Sequence, residues 1–342
     1  MKRKVQIDGK GKLVIVILFV LCYISFAACN DNPVVQQPAQ PAKDTSAVFI
    51  APDTSTIPHD PYGDMVRYGR ELIVNTAYYI GPNGTAGHYL GNKMNCGNCH
   101  VDAGTRPYAF NYFSTHARYP QYRARENKVL TLGERINNCV ERPHNGKPLP
   151  LDSKEIVAMV SYMKWLSANV PVGQHVKGDD EAELVLPDRV ADPAKGAVIF
   201  AANCTECHGK DGQGQWNADS STYTYPPLWG PHSYQKGSSP HRVLKLAGFI
   251  KANMPDKKAT WSKPFLTDEQ AIDVAAFIND DRIHPRPVRA DKNIHDYADY
   301  KTKAIDYDMG PFIDTFSAFQ HKFGPYKPII DYHKAHNLPI SL

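Results

Sequence analysis

Charge of one sign is missing from the body of this chain. Of 39 Lys+Arg and 35 Asp+Glu, five bases (Lys2, Arg3, Lys4, Lys10, Lys12) and one acid (Asp8) fall in the first 28 residues, so the remainder balances. No basic cluster with interleaved aromatics survives beyond that point, which argues against a nucleic-acid partner. Long apolar runs are scarce too. The only one, Leu13 to Ile24, follows the early bases and leads into Ser25-Phe26-Ala27-Ala28-Cys29, the pattern of a signal peptide over 1–28. Small residues before Cys29 make it the expected lipid-bearing first residue of the mature chain. The rival is an uncleaved anchor, but about 16 apolar residues fall short of the roughly 20 a helical span needs. Two or three acyl chains would hold the protein stably at a membrane surface. The expected location is therefore exported and lipid-anchored, on the periplasmic or cell-surface face of a bacterial membrane. From Pro33 to Tyr62 six Pro lie among Gln, Ala, Ser and Thr, so residues 29–62 read as a disordered tether.

Cysteine is sparse as well. Seven occur, and with Cys22 in the signal and Cys29 for lipid, five remain. Four of these form Cys96-Gly97-Asn98-Cys99-His100 and Cys204-Thr205-Glu206-Cys207-His208, two copies of the C-x-x-C-H signature of c-type haem attachment. Composition alone would give roughly 0.006 such matches, so coincidence is excluded in practice. Cys96 and Cys99, and Cys204 and Cys207, would each hold a haem by two thioethers, with His100 and His208 as proximal iron ligands. A zinc or redox C-x-x-C is the rival for one copy and a poor one for both. The expected cofactors are two covalently bound haem c.

The chain repeats around these motifs. Tyr68-Gly69-Arg70-Glu71-Leu72-Ile73 opens the first round and Lys195-Gly196-Ala197-Val198-Ile199-Phe200 the second, each Gly placed for a close helix crossing. Met159-Val160-Ser161-Tyr162-Met163 and Val274-Ala275-Ala276-Phe277-Ile278 close them. Capping patterns, Asp152-Ser153-Lys154-Glu155 and Thr267-Asp268-Glu269-Gln270, precede each closing helix. The fold class predicted is mainly α: two tandem cytochrome c domains over 63–170 and 194–283, an acidic Pro-bearing linker over 171–193, and an irregular C-terminal extension over 284–342.

Between His100 and the first closing helix Met is absent. In the second round Met254 stands 46 residues after His208, a usual place for a Met ligand, whereas in the first round Cys139 stands 39 residues after His100. A small buried thiol is the alternative for Cys139. As ligands, thiolate favours ferric and thioether ferrous iron, so the first haem would be low in potential and the second high. Met94, Met159 and Met163 read as core. Six Arg and one Lys lie between Val101 and Arg142, against four acids. Planar guanidinium forks suit sulfur or phosphorus oxyanions. Some would pair with haem propionates, and Arg135 and Arg142, flanking Cys139, are the candidates for holding substrate.

Four segments carry a resemblance: Asn95-Cys96-Gly97-Asn98-Cys99-His100, Ala103-Gly104-Thr105, Tyr119-Pro120-Gln121-Tyr122-Arg123 and Glu134-Arg135-Ile136-Asn137-Asn138-Cys139. From about Tyr68 to about Asp281 the chain resembles the dihaem thiosulfate dehydrogenase and tetrathionate reductase family. The resemblance implies that Cys139 is the distal ligand of the catalytic haem, that Arg135 holds substrate, and that the Met-ligated second haem exports electrons. It implies interconversion of thiosulfate and tetrathionate, with a partner cytochrome or membrane complex exchanging electrons. The family usually reads Cys-x-x-Arg-Ser. Here Pro143 ends the segment, and a hydroxyl beside the bound oxyanion is absent. The competing function is a non-catalytic dihaem carrier docked to a membrane redox complex.

Overall fold

The computed structural model describes residues 47–288 and 300–341, all within one compact unit, Thr45–Leu342. The signal peptide, Cys29 and the first part of the tether lie outside the described residues. Among the described residues no helix is long and apolar enough to cross a membrane.

The main helices are α1 Pro61–Val74, α2 Leu132–Glu141, α3 Lys154–Leu166, α4 Pro193–Asn203, α5 Val243–Asn253, α6 Asp268–Ile278, α7 Ala318–Phe323 and α8 Lys327–Ala335. Two small antiparallel hairpins accompany them, β1 Gln121–Arg123 with β2 Lys128–Leu130, and β3 Gln215–Trp216 with β4 Tyr223–Tyr225. α1 and α4 both begin with Pro at the first turn behind an Asp N-cap: Asp60 accepts from Gly63 N–H and Asp192 from Ala194 N–H. At the closing helices Ser153 accepts from Ile156 N–H over 3.3 Å, and Thr267 and Gln270 form a reciprocal capping box.

Each round is built on a helix crossing that only glycine admits. A Cβ on Gly69 would lie 2.0 Å from the carbonyl oxygen of Ala158 and 2.8 Å from Cβ of Tyr162; on Gly196 it would lie 2.0 Å from that of Asp273 and 2.8 Å from Cβ of Phe277. The two crossings therefore match residue for residue, and Tyr162 and Phe277 hold equivalent places. Gly196→Ala is expected to destabilise the fold. Alanine adds about 1 kcal/mol of helix propensity, but pushing apart backbone that cannot yield costs more, leaving a net loss of about 1–3 kcal/mol. Thermal unfolding of the holoprotein checks this, and an unchanged Tm would contradict the tight crossing.

Around α1 and α3 a first core gathers Val66, Leu72, Ile73, Ile156, Met159 and Tyr162. A second, around α4, α5 and α6, includes Phe200, Trp229, Leu246, Phe249 and Ile272. The extension adds Ile305, Phe323, Tyr326 and Ile329 to the second core, so it is packed structure carrying α7 and α8. Polar clamps fasten it. Buried Asp306 accepts from Arg242 Nε over 2.7 Å and from Leu244 N–H over 3.0 Å. Asp314 bridges His321 Nε2 at 3.0 Å and His333 Nε2 at 2.9 Å.

The tether expectation needs correction where it meets the structure. Residues 47–62 are not free chain: Phe49 packs against Phe113 with ring centroids 5.0 Å apart, its N–H bonds to the Lys177 carbonyl, and Ile57 is buried. The Pro-rich composition masked Phe49 and Ile57, whose apolar surface, together with the backbone bond to Lys177, favours docking of this segment. α1 itself starts at Pro61, inside the span read as tether.

Candidate functional site

Two cavities lie behind the two attachment turns. The second, about 390 Å³, is lined by Cys204, Cys207, His208 and Met254 among apolar side chains such as Leu246, Phe249 and Ile250. The first, about 620 Å³, gathers Cys96, Cys99, His100, Cys139, Arg135 and Arg142. Both volumes suit a cofactor, for which cavities of about 300–1,000 Å³ are usual. Met94, Cys99, Phe110, Tyr234 and Pro240 line both, so the cavities share one wall.

The two histidines are oriented alike, each with Nδ1 on a backbone carbonyl. His208 Nδ1 lies 3.0 Å from the Pro226 carbonyl, and His100 Nδ1 bonds to the Phe110 carbonyl. A carbonyl only accepts, so both Nδ1 atoms carry the proton and both Nε2 lone pairs stay available. Burial pushes His100 down to about 4 and lowers His208 as well, keeping the imidazoles neutral. His100 also stacks on Tyr112 at 4.4 Å. Among the described residues Cys96, Cys99, Cys139, Cys204 and Cys207 form no disulfide. Paired cysteines beside an apolar cavity and an oriented imidazole fit thioether attachment of a haem better than a zinc thiolate site.

α2 positions the rest of the first site. Its N-terminus is fixed by Thr131, which accepts from Glu134 N–H while Glu134 bonds back to Thr131 N–H at 2.8 Å. Arg135 and Cys139 lie one turn apart on the same face, and Arg135 Nη1–H donates to Cys139 Sγ over 2.9 Å. The Cys139 sulfur beside it holds the Arg135 guanidinium charged against the opposing effect of burial. Arg142 lines the same cavity but is placed differently. It caps the helix and its Nη2 bonds to Glu126 Oε1 at 3.1 Å, an oxygen that also accepts from Asn138 Nδ2 at 2.9 Å. The two Arg that flank Cys139 in sequence are thus separated by partner, one on sulfur and one on a carboxylate.

The other arginines divide further. Arg106 lies at the second cavity, bonded to Asp102 and Asp256. Arg118, Arg123 and Arg125 line the first, with Arg118 Nη1 at 3.0 Å from His175 Nε2 and Arg125 Nη2 donating to the Gly237 carbonyl at 2.7 Å. Met159 and Met163 are buried as expected, yet they also line the first cavity, and Met94 lines both. Pro143 reaches the wall with its carbonyl accepting from Asn92 Nδ2 at 3.0 Å.

Several lining residues were not anticipated. His144 is buried with Nδ1 3.2 Å from Asn92 Oδ1 and Nε2 3.7 Å from Cys96 Sγ, and burial pushes it down to about 4. Arg242 and Lys245 arrive from α5 and the turn before it, and Thr302 and Ser341 from the extension. Lys245 Nζ is paired with Glu181 at 2.6 Å. Only the adjacency of His144 to Arg142 and Cys139 was open to local reading; the others come from more than 90 residues away.

The chain is similar to known cytochromes c. Residues 90–172 match the SoxA/TsdA cytochrome c domain and residues 193–280 match cytochrome c. A thiosulfate dehydrogenase of Psychrobacter arcticus is 39% identical over 245 residues, 71% of this chain and 69% of that protein. One of Stutzerimonas stutzeri is 38% identical over 239 residues, 70% and 73% of the two chains. Among solved structures, the thiosulfate dehydrogenase TsdBA of Marichromatium purpuratum superposes with a TM-score of 0.62 at 33% identity, over 68% of this chain and 49% of that one.

Proposed function

The chain belongs to the thiosulfate dehydrogenase family of cytochromes c, and from that premise we propose that it interconverts thiosulfate and tetrathionate at its first cavity. It is an oxidoreductase with two cytochrome c domains and two covalently bound haem c. In this reading 63–170 carries the catalytic haem, with His100 and Cys139 as iron ligands. The domain over 194–283 carries the electron-transfer haem, with His208 and Met254. Bound at these positions, the haems supply one-electron acceptors and donors.

The observation that carries the reading is the Arg135 guanidinium against Cys139 Sγ at 2.9 Å, in the cavity that His100 also lines. Joining two S₂O₃²⁻ into S₄O₆²⁻ forms one S–S bond and releases two electrons, with no proton transferred. No general base is required of the chain. What it must do is hold two mutually repelling dianions with their terminal sulfurs facing, and cationic groups in a water-poor cavity do this. Arg135 is the candidate for orienting the reacting anion. Arg142, already neutralised by Glu126, contributes shape and a weaker field. Thr302 and Ser341 are hydroxyl residues on the same wall, where a chain with Pro143 lacks the usual neighbouring serine. Anchoring through Cys29 at a membrane surface, and delivery of electrons to a partner cytochrome or membrane complex, complete the proposal.

The test is an anaerobic assay of the purified dihaem protein, first with thiosulfate and an artificial acceptor, then with tetrathionate and a reduced donor. Turnover in either direction supports the reading. Absence of turnover in both would leave a non-catalytic electron carrier.

A further inference from the structure

The second cavity has a lip whose chemistry the catalytic reading does not use. The stretch Pro255 to Phe265 starts beside Met254 and is pinned at two buried points, Ala259 and Leu266, each about one-twentieth exposed. Between them Thr260 and Lys263 exchange backbone hydrogen bonds of 3.2 and 3.1 Å, and Lys263 N–H also donates to Thr260 Oγ1. This tight turn holds Trp261 at its tip, 42% exposed, with Phe265 48% exposed just beyond. One edge of Trp261 rests on Tyr108, ring centroids 5.6 Å apart. The Tyr108 carbonyl accepts from Asn253 Nδ2 at 3.0 Å, immediately before Met254. Two large apolar rings are therefore presented to solvent on a fixed loop rather than buried.

The exposed charges of the stretch itself are basic, with Glu183 and Asp179 near enough to act on Tyr108. Lys257, Lys258 and Lys263 are exposed, and none has an ion-pair partner among the described residues. The one acid of the stretch, Asp256, is already bonded to Arg106 at 2.9 Å. Lys251, just upstream, is neutralised by Asp268 at 2.6 Å. The attachment turn contributes one exposed carboxylate, Glu206. We propose that this lip is the docking surface for an acidic, electron-carrying protein that meets the second haem site on its Met254 side. The inference rests on the second cavity being the electron-transfer site.

Exposed rings on a fixed loop flanked by Lys258 and Lys263, neither of which lines the cavity, suit a protein face rather than a small anion. Rigid aromatic anchors give contact area at little conformational cost, and uncompensated lysines steer an acidic partner and set its orientation. Electron-transfer complexes use small interfaces, so a loop of this size is sufficient. An acidic lipid surface would also attract lysine and tryptophan, but it accepts no electrons, and it enters as an outcome of the test.

The experiment measures binding between fully oxidised holoprotein and an acidic ferricytochrome, with a basic ferricytochrome and acidic phospholipid vesicles as comparison probes, at low and high salt. No thiosulfate is present, so the result is independent of whether the first cavity is catalytic. The wild-type protein is expected to prefer the acidic ferricytochrome, with affinity falling as salt rises. Lys258→Glu/Lys263→Glu should weaken that binding about tenfold or more at low salt and flatten its salt dependence. Trp261→Ala should weaken it at both salt concentrations alike. Equal affinity of wild type and Lys258→Glu/Lys263→Glu for the acidic ferricytochrome overturns the proposal. So does a wild-type preference for the basic ferricytochrome, or binding to vesicles with none to the acidic ferricytochrome.

Discussion

Replacing Cys139 with Met should leave both haems attached and abolish most of the reaction. In the proposed reading attachment depends on Cys96, Cys99, Cys204 and Cys207, none of which is touched, so haem content stays at two per chain. With Cys139 as the proposed iron ligand, the iron environment changes. A thioether in place of an anionic sulfur favours ferrous iron, raising the potential of the first haem toward that of the second. In a redox titration the wild type is expected to give two separated one-electron steps, and the variant two steps drawn together. Turnover should fall on the order of 10²-fold or more, because the sulfur that accepts from Arg135 is also replaced by a displaced, weaker-accepting thioether. Unchanged potentials with unchanged turnover would return Cys139 to the role of a small half-buried thiol, and equal potentials in the wild type would remove the distinction between the two sites.

Much of the frame was legible because it is written locally. Gly69 and Gly196 each lie on the helix that opens their round, 27 and 8 residues before Cys96 and Cys204, and what each touches, Ala158 with Tyr162 and Asp273 with Phe277, is equivalent. Caps at Ser153 and Thr267 mark helix starts within four residues of chain. The first cavity was only half legible. Its floor, from His100 to Cys139, belongs to one stretch, but Arg242, Lys245, Thr302 and Ser341 are brought to it by packing of α5 and the extension on the second core, and no local pattern encodes such long-range placement. The arginines carried a different ambiguity. Arg135 and Arg142 stand four before and three after Cys139, both helix-neighbour spacings, and composition gave no means of ranking them. α2 ends at Glu141, so Arg142 leaves the helical face and turns to Glu126, a carboxylate 16 residues earlier in the chain. The packed part of the supposed tether was missed for a simpler reason: two apolar side chains, Phe49 and Ile57, outweigh the surrounding prolines once a surface exists to receive them.

Arg135→Ala is expected to remove turnover while leaving the haem sites intact. Arg135 is half-buried, its Nη1 committed to Cys139 Sγ and its charge maintained by that sulfur. It therefore brings a positive fork to the open side of the thiol, where a dianion must be held next to a second dianion of the same sign. Loss of one charge-assisted contact to a buried anion costs about 2–4 kcal/mol of transition-state stabilisation, roughly 30- to 1000-fold in kcat/KM. Lysine should recover only part of this, because a point charge gives attraction without the paired, planar contact. Arg142→Ala serves as the contrast. Its guanidinium is already matched by Glu126, so removing it leaves a half-buried carboxylate with one fewer cationic partner beside Asn138, and the expected loss is in stability more than in turnover. The measurements are steady-state kinetics with thiosulfate, the absorption spectrum of each haem, and thermal unfolding of all three variants. Normal turnover in Arg135→Ala, or a failure that coincides with loss of haem, would make Arg135 a structural or propionate partner and move the anion-holding role elsewhere on the cavity wall.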